Sequence, residues 1–155
     1  MNIYADADAL PNAVKDILYR AAERTRISLT LVANVPLPIP RSEVIASIVV
    51  AAGPDVADKC IADLVLPGDL VITADLPLAL RVVEKGGVGL DPRGTLYTVN
   101  NIQAKIASRD LLMALREGGM EIGGPAPFKQ KDRQAFANQL EQYLARFGKA
   151  RQMDG

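Results

Sequence analysis

Five aspartates stand where a repeatedly turning chain would gather acid. Asp6 and Asp8 have one residue between them, Asp55 and Asp58 have two, and Asp75 closes an apolar run. In an extended chain the first pair projects to one side; at the start of a helix the second pair shares one face. Carboxylates that converge repel and raise one another's pKa unless a cation sits among them. The rest of the composition narrows the chemistry. There is no histidine and a single cysteine, Cys60. That excludes a Ser-His-Asp triad, a Cys-His pair and a zinc site, each of which needs residues this chain lacks. A metal ion here is held by oxygen, which selects magnesium, manganese or calcium. One or two Mg²⁺ or Mn²⁺ ions activate water and stabilise both oxygens in phosphodiester cleavage.

The elements that must position these acids follow from periodicity. Ile3-Tyr4-Ala5 reads as a first strand that stops at Asp6. Val14, Ile17, Leu18, Ala21 and Ala22 then give one apolar face of a helix. Leu29 to Ala33 is a second strand, ending at Asn34. Pro36, Pro38 and Pro40 exclude helix and central strand, so an extended loop follows. Val44 to Val50 is almost all apolar and predicts a strand buried on both faces of a parallel sheet. Ala57, Cys60, Ile61 and Leu64 mark a second helix, Leu70 to Ala74 a fourth strand, Leu78 to Val83 a short helix and Val88 to Leu90 a fifth strand. One helix is predicted from about Asn100 to Arg116, and another carries Phe136, Leu140, Tyr143, Leu144 and Phe147 on one stripe. Between them, Gly123-Gly124-Pro125-Ala126-Pro127 is a loop.

Strands alternating with helices predict an α/β three-layer sandwich around a central, mainly parallel sheet of about five strands. Such sheets bind ligands beyond the carboxyl ends of their strands. Asp6, Asp8, Asn34, Asp55, Asp58 and Asp75 all fall at or just past such ends. Asp6, Asp8, Asp55, Asp58 and Asp75 are therefore the expected metal ligands, and Asp6, Asp8 and Asp75 the expected catalytic set. Each has a plainer reading. Asp55 and Asp75 each precede a helix and suit its cap, and Asp58 suits the positive end of a helix dipole. Asp69 begins the fourth strand, at the wrong end of the sheet, and reads as a turn residue.

The chain has 155 residues, enough for one domain, expected over 1–147 with residues 148–155 as a frayed tail. Lysine plus arginine and aspartate plus glutamate are 18 each, which excludes a purely electrostatic nucleic-acid coat protein. The charge is uneven: residues 1–100 hold 12 acidic and 9 basic side chains, residues 101–155 hold 6 and 9. Lys105, Arg109, Arg116, Lys129, Lys131 and Arg133 are placed to neutralise phosphates. Arg109 falls beside Ile106 and Met113 on its helix and is expected to point inward. No apolar run approaches the ~20 residues that span a bilayer. The first residues carry neither a basic nor an apolar leader segment, so a cytoplasmic protein is expected.

Tyr4-Ala5-Asp6-Ala7-Asp8-Ala9, Val32-Ala33-Asn34, Gly53-Pro54-Asp55-Val56-Ala57-Asp58, the run from Gly68 to Ala79, and Gly124-Pro125-Ala126-Pro127-Phe128 resemble the YaiI/YqxD family over about residues 2–147. That family looks like a branch of the PIN-like nucleases. The resemblance implies a PIN-like fold and Mg²⁺- or Mn²⁺-dependent cleavage of RNA. Asp6 or Asp8 matches the strand-one aspartate, Asp58 with Asp55 the helical acid, and Thr73-Ala74-Asp75 the Thr-x-Asp strand end. Asn34, Thr73, Arg109, Lys129 and Arg133 are then the expected substrate-binding residues. Two alternatives stay open. Asp6-x-Asp8 also resembles the nucleophile motif of haloacid-dehalogenase-type phosphatases, with Asp6 phosphorylated. A non-catalytic RNA-binding or interaction module would carry the same basic residues.

Overall fold

The computed structural model describes residues 1–8, 10–123 and 126–154, and the backbone alone over 148–154. Ala9 of the first motif and Gly124 and Pro125 of the last lie outside the described residues.

Among the described residues, six strands form one sheet. They are β1 (Asn2–Asp6), β2 (Ser28–Ala33), β3 (Ile45–Val49), β4 (Leu70–Ile72), β5 (Val88–Leu90) and β6 (Leu96–Tyr97). Their order is β3-β2-β1-β4-β5-β6, with every neighbouring pair parallel except β5 and β6. Among the described residues, five helices connect or follow them: α1 (Asn12–Thr25), α2 (Val56–Leu64), α3 (Leu76–Glu84), α4 (Ile102–Glu117) and α5 (Gln130–Asp154). α5 thus continues past Gly148.

The pleat divides the core in two. Ile3, Ala5, Leu29, Leu31, Leu70, Ile72 and Leu90 face one side, where Val14, Leu18, Ala21 and Ala22 of α1 meet Phe136, Leu140 and Leu144 of α5. Tyr4, Val32 and Val71, the alternating positions, face the other side and pack under Ala57 and Ile61 of α2 and Leu78 and Val82 of α3. α4 leans on α3 through Ile102, which joins Ala79, Val83 and Tyr97 in a smaller cluster. Phe136 is fully buried, so its truncation to alanine costs about 3–5 kcal/mol.

The sheet is as expected in class and mainly parallel, with two differences. Its sixth strand, β6, has two residues and runs back against β5 through the Asp91–Thr95 turn, too short to show a periodicity. β3 is not buried on both faces. Ala46, Ser47 and Val49 are exposed, because β3 is the outermost strand and only β2 pairs with it. β1 and β4 take the central places.

The chain runs outward from β1 to β2 and β3, then crosses back to lay β4 on the other side of β1. The two halves therefore diverge between β1 and β4, and their carboxyl ends frame the crevice where ligands bind in open α/β sheets.

Candidate functional site

Asp6 is the last residue of β1, and the pairing of Ala5 with Ile72 sets Thr73 beside it across that crevice. The fully buried Thr73 hydroxyl donates to Asp6 Oδ2 at 3.3 Å and accepts the Asp75 N–H at 3.0 Å. One side chain thus ties the end of β1 to the start of α3. Asp75 is the N-cap of α3: its Oδ1 accepts the Leu78 N–H at 2.9 Å, with Pro77 in the first turn. Asp75 is both a cap and a member of the acidic group, since a carboxylate has two oxygens and the cap uses one.

Asp58 comes to the same place from the first turn of α2. Its carboxyl lies within hydrogen-bonding reach of Asp75 and in the field of Asp6 and Asp55. Partial burial first, then Asp75 and Asp6, raise its pKa to about 6. Asp6 is also raised, mainly by burial and further by Asp75 and Asp8, against the opposing bond from Thr73. Asp6, Asp58 and Asp75 are thus brought together, on the sheet face covered by α2 and α3.

Asp8 and Asp55 stand at the margins. Both Asp8 oxygens accept the Asn34 N–H, at 2.9 and 3.0 Å, so Asp8 ties the end of β1 to the end of β2 from an exposed position. Asp55 precedes α2 in the left-handed conformation, with φ of 63°, and makes no side-chain cap bond. Aspartate tolerates that conformation better than most residues. Asn34 Oδ1 is buried without a hydrogen-bond partner among the described residues.

Oxygen donors in mutual contact suit a hard divalent cation. Among the described residues, no three such groups are arranged to hold a metal ion as they stand. Magnesium asks for less, since it keeps several waters and takes one or two carboxylates. Asp58 and Asp75, close enough to share a hydrogen bond, fit that requirement, and two ionised carboxylates at that spacing favour a cation between them.

The basic residues divide. Lys129 precedes α5 and Arg133 is in its first turn; both sit near the carboxyl end of β5 and the turn that leads into β6, because Gly94 of that turn abuts the backbone of Ala135. A Cβ on Gly94 would meet the Ala135 carbonyl carbon at 2.8 Å. Arg109 is half-buried on α4, and no hydrogen bond or ion pair joins it to a carboxylate among the described residues.

One group escaped the sequence reading. Asp91 directly follows β5, so it neighbours Thr73 on the same edge. It accepts the Arg93 N–H at 2.6 Å and the Tyr97 hydroxyl at 3.4 Å. Burial raises the pKa of Asp91, and burial with the Asp91 charge raises that of Tyr97. The signal was present: Asp91 ends a strand as Asp6 does, in the turn-forming run Asp91-Pro92-Arg93-Gly94.

At the opposite edge of the sheet, Asp69 is buried and its carboxylate accepts the Asn2 and Leu66 N–H groups, both at 2.9 Å. It is a loop anchor there, in keeping with a turn residue. A cavity of about 510 Å³ opens beside it between Leu66, Pro67, Tyr143 and Phe147, and Asp6, Asp58 and Asp75 line no part of it. A polymer crossing an open edge needs no enclosed cavity, so the acids and the cavity are separate features.

No helix among the described residues is long and apolar enough to cross a membrane. The family model described as the uncharacterised YaiI/YqxD family matches residues 4–146. A UPF0178 protein of Shewanella amazonensis is 53% identical over 96% of this chain and 100% of its own length. Another, of Solidesulfovibrio magneticus, is 55% identical over 95% of this chain and 98% of its own. A third, of Syntrophotalea carbinolica, is 54% identical over 94% and 99%. No solved structure matches the chain. With its motifs matched nearly end to end, the chain belongs to the YaiI/YqxD family.

Proposed function

We propose that this protein is a PIN-like, Mg²⁺- or Mn²⁺-dependent nuclease that hydrolyses phosphodiester bonds in RNA. The observation that carries the reading is the meeting of Asp6, Asp58 and Asp75 at the crevice between β1 and β4. Bound among them, the ion would supply a Lewis acid and an activated water. The chain's own residues do the rest. Thr73 orients the Asp6 carboxylate by its hydrogen bond. The Leu78 N–H occupies one oxygen of Asp75 and leaves the other for the ion. Asp8 holds the β2 end beside the site through Asn34. Lys129 and Arg133, at the head of α5, neutralise phosphates of the strand as it approaches.

A labelled single-stranded oligoribonucleotide incubated with Mg²⁺, Mn²⁺ or EDTA tests the reading on a gel. Metal-dependent cleavage by the wild type is expected, lost in Asp6→Asn and Asp75→Asn while binding survives. Cleavage by Asp75→Asn equal to that of the wild type overturns it. A phosphate trapped on Asp6 would instead favour the phosphatase alternative.

A further inference from the structure

The β5–β6 turn and the head of α5 are joined by one side chain. Arg93 is fixed to the carboxyl edge by its own N–H, which donates to Asp91 Oδ1. Its guanidinium then leaves the turn and reaches two other segments. Nη1 donates to Asp132 Oδ2 at 3.1 Å, and Nη2 donates to the Ala126 carbonyl. The guanidinium lies over the Phe128 ring, 6.0 Å from its centroid. Asp132 Oδ2 also accepts the Lys129 N–H at 2.9 Å. That bond from the third helical position back to the residue before α5 is one half of a capping box.

The Arg93 charge is spent on Asp132, at 3.1 Å. Lys129 is exposed, and its amino group has no hydrogen bond or ion pair among the described residues. Lys129 is thus a cation left unpaired among the described residues, and Arg93 is the part that locates it. Lysine cannot replace Arg93, because a single ammonium does not present a planar fork to acceptors on two segments while covering a ring.

We propose that Arg93 is a positioning residue for RNA, holding Lys129 at the β5 end of the carboxyl edge so that Lys129 pairs with a backbone phosphate of a strand that runs along this edge to the acidic site. This rests on the reading of the site as one that takes RNA. The Lys129 cap bond to Asp132 does not involve Arg93, so Arg93→Lys retains the start of α5.

The test is a double-mutant cycle on binding, in EDTA so that cleavage plays no part. A fluorescein-labelled oligouridylate is titrated at several salt concentrations into wild type, Arg93→Lys, Lys129→Gln and the double variant. If Arg93 acts through Lys129, each single variant weakens binding several-fold, and the double is no weaker than the worse single. The slope of log affinity against log salt falls by about 0.7 in all three, one phosphate contact on a single strand. Additive losses, or an Arg93→Lys protein that binds like the wild type, overturn the positioning role and leave the RNA reading standing. A wild-type protein that does not bind the oligonucleotide even at low salt overturns the RNA reading, and this proposal with it.

Discussion

Thr73 and Asp6 meet across the central strand pair, hydroxyl to carboxylate at 3.3 Å. The same hydroxyl accepts the Asp75 N–H. Thr73→Val keeps the shape and removes both bonds, leaving a half-buried carboxylate and an N–H short of a partner. The expected loss is about 1–3 kcal/mol of stability, read from the urea midpoint in EDTA. Thr73→Ser restores both bonds and most of the loss. A Thr73→Val protein as stable as the wild type would show that water replaces the hydroxyl at no cost.

Asp58 and Asp6 give a signed dependence on pH. Both have pKa values raised in the folded state, Asp58 to about 6. The folded chain therefore holds protons more tightly than the unfolded chain, and stability falls as pH rises through the interval between the ordinary carboxylate value and about 6. Without metal, the wild type should lose more stability from pH 4.5 to pH 6.5 than Asp58→Asn does. Adding Mn²⁺ at pH 6.5 should restore the wild type and leave Asp58→Asn little changed. Denaturant titrations at the two pH values measure both, and identical slopes for the two proteins would refute the coupling.

Asp75 has separable duties. Asparagine caps a helix about as well as aspartate, and Asp75→Asn also removes a charge facing Asp58 and Asp6. That variant should melt at or above the wild-type temperature in EDTA. Asp75→Ala loses the bond to the Leu78 N–H and should be less stable by about 1 kcal/mol. If both variants lose stability alike, the charge itself is what α3 requires.

Gly94 and Gly68 make a matched pair. Both have positive φ, +98° and +88°, but a Cβ on Gly94 meets the Ala135 backbone whereas one on Gly68 meets nothing within 4 Å. Gly68→Ala should cost about 1 kcal/mol from conformation alone. Gly94→Ala adds a clash with α5 and should cost about 2–4 kcal/mol, with loss of affinity for the oligonucleotide as Lys129 and Arg133 move. Equal effects on stability would mean that α5 shifts freely away from the turn.

The alternation of apolar strands and amphipathic helices was enough to specify an α/β sandwich, because a pleat and a helix each write their period into the residues that bury them. The placement of Asp6 and Asp75 at strand ends was legible for the same reason: an apolar run that stops at a charge marks its own boundary. Strand order was not. The Val44 to Val50 run looks like a central strand and lies at the edge, because order depends on which crossovers close over the sheet, not on any one segment. Order in turn decided that β4 lies against β1. Only that pairing sets Thr73 beside Asp6, and it leaves Asp8 on the β2 side with Asn34. The carboxylates could be named from the chain. That Asp58 and Asp75, seventeen residues apart, come within hydrogen-bonding reach required two helices to start from the same edge. Arg93 shows the same limit: its partners, Ala126, Phe128 and Asp132, are remote in sequence and are brought to it by the return of α5 over the sheet.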